Sequence, residues 1–93
     1  MVVSFRCAEF ELLYRQARSR KIASSIHSTA RRKLRQLDMA GELDDLRIPP
    51  GNRLEALAGD RAGQHSIRIN DQYRICFVWT QRGATNVEIV DYH

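Results

Sequence analysis

Ninety-three residues leave room for one folded domain and no second, so positions 1–93 are read as a single unit. An apolar fraction of 43% and a mean hydropathy of -0.46 are ordinary for a globular protein, and the longest unbroken apolar run, Ile75 to Trp79, is five residues, far short of a bilayer span. Fifteen basic residues against eleven acidic give a net charge of +4, and thirteen of the fifteen are arginine, whose planar donor fork matches phosphate where lysine offers a point charge.

No cationic stretch followed by an apolar run opens the chain, so no signal peptide and no membrane partner are expected. Only two cysteines occur, Cys7 and Cys76, far apart and in no paired motif. That pattern suits a reducing, cytoplasmic setting in which both thiols pack as small hydrophobes.

In chain order, Val2, Val3 and Phe5 read as a short strand. From about Ala8 to Arg18 the residues Phe10, Leu13, Tyr14 and Ala17 recur at helical spacing. A second helix is expected from about Ser25 to Met39, capped by Ser24 or Ser25, with Ile26, Ala30, Leu34 and Leu37 as its apolar stripe. Eight bases and no acid lie between Arg15 and Arg35: Arg15, Arg18, Arg20, Lys21, Arg31, Arg32, Lys33 and Arg35. Such a run is either a solvated helix face or a surface for an acidic partner, nucleic acid or an acidic protein segment. On the second reading these eight are the candidate RNA contacts. Leu43 to Leu46 reads as one further helical turn. Pro49, Pro50 and Gly51 then break regular structure, with Pro50 and Gly51 suited to the centre of a type II turn.

Beyond that break the period changes to two. Leu54 to Leu57 is a short strand, followed by a turn around Gly59, Asp60 and Gly63. His65, Ile67 and Ile69 alternate with polar residues, as do Tyr73, Ile75, Phe77 and Trp79 with Arg74, Cys76 and Val78. Asn86 to Val90 forms the last strand. Two helices followed by a meander of strands is an α+β domain with a mainly antiparallel sheet. A three-residue loop of Asn70, Asp71 and Gln72 pairs Ile69 with Tyr73 and Ile67 with Ile75, and so sets Arg68 opposite Arg74 on the other face. Like charges there repel, unless an anion such as phosphate sits between them. A final hairpin with its loop from Gln81 to Thr85 places Trp79 beside Val87, Phe77 beside Ile89, and Tyr92 beside Arg74. The competing expectation is that these arginines form ordinary surface ion pairs with Glu88 or Asp60. His65, Asp91 and His93 fall on the opposite face, nothing has metal-ligand spacing, and His27 is expected to be exposed on its helix.

The stretch PPGNRLEALAGDRAGQHSIRINDQYRICFVW (Pro49 to Trp79) and the ending VEIVDYH (Val87 to His93) strongly resemble the HigB-type toxins of the RelE/ParE superfamily. The likeness runs back through RRKLRQLD (Arg31 to Asp38) and DDLR (Asp44 to Arg47). The resemblance implies a RelE-like fold and a toxin that cuts mRNA in the ribosomal A site with neither metal nor other cofactor. It also implies a helix-turn-helix antitoxin of the HigA type, through which alone operator DNA is bound. By position, Arg74 matches the strand arginine that contacts the scissile phosphate, Arg68 sits where a second basic residue is usual, and Asp91, Tyr92 and His93 match the C-terminal catalytic motif. Well-studied members carry a histidine and a lysine in the region that here reads Leu54 to Ala58, where this chain has Glu55 and Ala58.

Cleavage without a metal requires removal of the 2′-OH proton, stabilisation of charge on the phosphoryl oxygens, and protonation of the leaving 5′-oxygen. Arg68 and Arg74 are candidates for the charge. His93 suits acid–base work near neutral pH, with Asp91 to orient it and Tyr92 to stack on a base or relay a proton; Glu55 is a further candidate for base. Two other readings compete: a ParE-like inhibitor of gyrase that cuts nothing, and a non-enzymatic RNA- or ribosome-binding module for which the basic helices suffice.

Overall fold

The computed structural model describes residues 1–15 and 22–91. Two helices and a four-stranded antiparallel sheet make up an α+β fold. Helix α1 spans Ala8–Tyr14, with Glu9 and Glu11 in its first turn, where the helix dipole favours acids. Arg15, just past its end, pairs back to Glu11 at 3.0 Å. A 3-10 turn at Ser24–Ile26 runs into helix α2, His27–Met39. Neither serine caps it through its side chain. Its buried positions are Ala30, Lys33, Leu34 and Leu37, a stripe at spacings of three and four. His27 is half-buried, with Nε2 2.9 Å from the Ile22 carbonyl, which corrects the expectation of an exposed side chain.

A further 3-10 turn covers Leu43–Arg47. The segment after it departs from the type II turn expected at Pro50 and Gly51. Pro50–Asn52 form a 3-10 turn, and the left-handed conformation falls on Arg53 (φ 47°). This geometry swings the Asn52 side chain fully inside, where its amide donates to Gln36 Oε1 and to the Leu46 carbonyl, each at 3.1 Å.

Strands β1 (Glu55–Ala56), β2 (His65–Arg68), β3 (Tyr73–Thr80) and β4 (Gly83–Asp91) pair in sequence order. The first hairpin has the expected register, Ile67 opposite Ile75 and Arg68 opposite Arg74. Asn70 Oδ1 closes its loop by accepting from the backbone N–H groups of Gln72 and Tyr73. The final hairpin does not follow the expected register. Its loop is Gln81 and Arg82 alone, so Trp79 faces Ala84, Ile75 faces Ile89, and Arg74 faces Val90. A bulge between Cys76 and Val78 restores the phase, with Asn86 (φ 51°) absorbing the extra residue on β4.

Residues 2–5 add a parallel edge beside β4 through bridges at Val2–Ala84 and Phe5–Val87. Gly83 (φ 123°) makes that approach possible, since a Cβ there would stand 2.0 Å from the Met1 carbonyl oxygen. The helices cover one face of the sheet. Leu13, Leu34, Leu37 and Leu46 pack with Ile67, Ile75, Phe77 and Val87 into one core. By alternation, the other face carries Ser66, Arg68, Arg74, Cys76, Glu88 and Val90. No helix among the described residues is long and apolar enough to cross a membrane.

Candidate active site

Cross-strand register builds this second face in rows. Glu55, Ser66, Cys76 and Glu88 are successive partners across all four strands. The next row is Arg68, Arg74 and Val90. Arg68 and Arg74 are thus forced together by backbone pairing, and each turns to a different acid. Arg68 Nη2 donates to Asp71 in the hairpin loop, while Arg74 Nη1 lies 3.5 Å from Glu55 Oε2 and donates to Ser66 Oγ at 3.2 Å. The Arg74 side chain is only 17% exposed; Glu55 is 56% exposed and Asp71 is largely in solvent. Ion pairs with exposed carboxylates are worth well under about 1 kcal/mol. They quiet the mutual repulsion of the arginines.

Glu88 is not the partner of either arginine that the ion-pair expectation offered. Its carboxylate is taken by Arg6 and Arg61, at 3.0 and 3.1 Å. These two arginines and Ser66 were not singled out by the sequence reading. The signal for Glu88 was its place between Val87 and Ile89, an acid on a strand whose neighbours are core.

Asp91 closes β4 opposite Tyr73, on the side away from Arg74, and accepts from Gln72 Nε2 at 3.0 Å. Tyr92 and His93 lie outside the described residues. His65 pairs with Phe77 on the helix-covered side, stacks on its ring, and has a buried Nδ1 without a hydrogen-bond partner.

The basic run divides. Arg32 and Arg35 are exposed on α2, and Arg15 is exposed at the end of α1. Arg31 is half-buried and donates through Nε to the Leu13 carbonyl at 3.2 Å. Lys33 departs from the expectation of a surface contact. It sits on the buried stripe and its ammonium donates to Asn52 Oδ1. Burial, and then the charges of Arg32 and Arg68, hold that ammonium below the ordinary lysine range. Arg18, Arg20 and Lys21 lie outside the described residues.

Among the described residues no three His, Cys, Asp or Glu side chains converge as a metal site. The arrangement is that of an anion cradle: two guanidinium groups fixed by sheet register, a hydroxyl and a carboxylate beside them.

Residues 3–93 match the family model described as the RelE-like toxin of the type II toxin–antitoxin system HigB. The chain belongs to the HigB-like toxins. This HigB-like toxin is 46% identical over 87 residues to Toxin HigB-1 of Vibrio cholerae serotype O1, an alignment covering 92% of each chain. It is 34% identical over 67 residues to an uncharacterized protein of Haemophilus influenzae, covering 72% of this chain and 66% of that one. Being a type II toxin implies an antitoxin as its protein partner.

Proposed function

We propose that this HigB-like toxin is a metal-independent endoribonuclease that cuts mRNA in the ribosomal A site, and that a HigA-type helix-turn-helix antitoxin neutralises it. The observation that carries the reading is the register-enforced pair of Arg68 and Arg74 on the sheet face opposite the helices. In this mechanism a base removes the 2′-OH proton and the 2′-oxygen attacks the adjacent phosphorus. The bond from phosphorus to the 5′-oxygen then breaks, and an acid protonates the departing oxygen. The products are a 2′,3′-cyclic phosphate and a 5′-hydroxyl end.

Arg68 and Arg74 stabilise charge on the phosphoryl oxygens, the largest contribution in sites of this type. Glu55, 3.5 Å from the Arg74 guanidinium and more than half exposed, takes the 2′-OH proton in this reading. Val90 faces Arg74, and Asp91 follows it. Tyr92 and His93 come next in the chain and supply a stacking surface and the acid. His65, turned to the core, takes no part. Arg15, Arg32 and Arg35 are exposed cations suited to ribosomal or messenger phosphates.

The test is a translation reaction given protein stripped of transition metals by chelation. The expected result is mRNA ends within codons. Intact mRNA at stoichiometric protein, together with DNA trapped on gyrase, would move the assignment to the ParE-like branch.

A further inference from the structure

Of the large apolar side chains among the described residues, Met39 and Ile48 stand furthest into solvent, at 85% and 77% exposed. Single exposed apolar residues are ordinary, but these two come from different elements and line one groove with Gln36, Ala40, Asp45 and Leu46. Met39 ends α2, and Ile48 follows the 3-10 turn at Leu43–Arg47. Helical spacing puts Arg35 and Arg32 on the same face of α2 as Met39, about one and two turns back toward the start of the helix. Both arginines are exposed, and neither forms an ion pair among the described residues. The nearby acids are engaged within the chain. Asp45, which lines the groove, accepts from the Gly41 and Glu42 N–H groups at 2.9 Å; Asp38 accepts from the Val2 N–H at 2.9 Å, and Asp44 pairs with Arg47. The charge left without an ion pair beside the groove is therefore positive.

A nucleic-acid backbone would satisfy the arginines and leave Met39 and Ile48 in water, whereas an amphipathic protein segment meets both. We infer that this face of α2 docks the antitoxin that membership of a type II system implies. The segment it fits is amphipathic and acidic. One apolar side chain sits between Met39 and Ile48, and carboxylates one and two turns along pair with Arg35 and Arg32. The flexible thioether of Met39 suits an anchor point, because it adapts to the shape that covers it. Once docked, the antitoxin also takes Arg32 and Arg35 away from ribosomal phosphates. That consequence rests on the ribonuclease reading; the docking itself does not.

The test is a titration of the purified cognate antitoxin against the full-length toxin, wild type and a double variant carrying Met39→Ser and Ile48→Ser. Both side chains stand in solvent, so the double variant should melt like wild type. Its affinity for the antitoxin should fall about ten- to a hundredfold, the range for losing the burial of one large apolar side chain. In a cleavage assay it should cut as wild type does and need correspondingly more antitoxin to be silenced. Arg32→Gln together with Arg35→Gln should weaken antitoxin binding several-fold and flatten its dependence on salt. If the apolar pair of substitutions unfolds the protein, the arginine pair decides alone. Wild-type affinity for the antitoxin in the folded apolar variant would overturn the docking face. Loss of self-association in that variant would then name a second copy of the chain as the occupant, and loss of ribosome binding would name the ribosome. Affinity is read on purified proteins without ribosomes. A toxin that binds antitoxin as expected yet cuts no mRNA therefore overturns the ribonuclease reading and keeps the docking face.

Discussion

Replacing Arg74 with alanine is expected to remove cleavage and leave the fold standing, and the structure sets both magnitudes. The variant loses an ion pair with Glu55, whose carboxylate is more than half exposed, and a hydrogen bond to Ser66. The exposed ion pair is worth roughly 1 kcal/mol at most, and the charge-assisted hydrogen bond to the buried hydroxyl about 1.5–3 kcal/mol. Against them, removing one of two like charges facing each other across β2 and β3 returns about 0.2–1 kcal/mol. The net change is roughly 1–3 kcal/mol, and for a domain of this length each kcal/mol lowers the melting temperature by about 4–8 °C. Loss of a donor aimed at developing phosphoryl charge costs about 10²–10³ in rate, or about 2.7–4 kcal/mol of barrier. Thermal melting followed on the same preparation by single-turnover cleavage on programmed ribosomes separates the two effects. Cleavage within a few-fold of wild type would refute the two-arginine clamp. A loss of more than about 4 kcal/mol in denaturant titration would refute this local reckoning and make Arg74 a structural residue.

Asn52→Ala should be far more damaging to stability, about 3 kcal/mol by urea titration, because it strands the buried Lys33 ammonium and the Leu46 carbonyl together. Lys33 also gives the fold a pH dependence. Its folded-state value lies below the ordinary 10.5, so between the two values the unfolded chain binds more protons and stability rises with pH. Lys33→Met should flatten that rise in a series of denaturant titrations. Tyr14, held above 10.0 by burial and by Asp38, contributes the opposite slope in more alkaline solution, and subtracting the variant from wild type cancels it. His93→Gln should abolish cleavage with melting behaviour unchanged; persistence within a few-fold would pass the acid role to another group.

The first hairpin was legible because two independent signals agreed. Asn70-Asp71-Gln72 makes a competent loop, and only one register keeps Ile67, Ile69, Tyr73 and Ile75 on a single face. That register alone delivered Arg68 opposite Arg74. The second hairpin was not legible in the same way. A bulge shifts the alternation by one residue, so a five-residue loop and a two-residue loop with a bulge both keep Val87 and Ile89 inside. The deciding features are the positive φ angles at Gly83 and Asn86, and sequence pattern does not announce them. Lys33 was misplaced for a simpler reason. It stands three residues after Ala30 and four before Leu37, on the stripe itself, but a charge at such a position reads as surface unless its buried acceptor, Asn52, is known. The partners of Glu88 stayed hidden likewise, since Arg6 and Arg61 lie far from it in the chain.

The parallel edge formed by residues 2–5 governs the order in which the molecule can come into being. Val3 and Arg6 donate to the backbone of Ala84 and Val87, and Arg6 reaches Glu88. Val3 and Arg6 therefore wait unpaired until β4 has been made, and a loop of about eighty residues must close to seat them. A nascent chain that has reached the first hairpin carries Arg68 and Arg74, but it has neither the strand beside them nor the carboxylate that gathers Arg6 and Arg61. The cationic face of the sheet is thus complete only once β4 is in place.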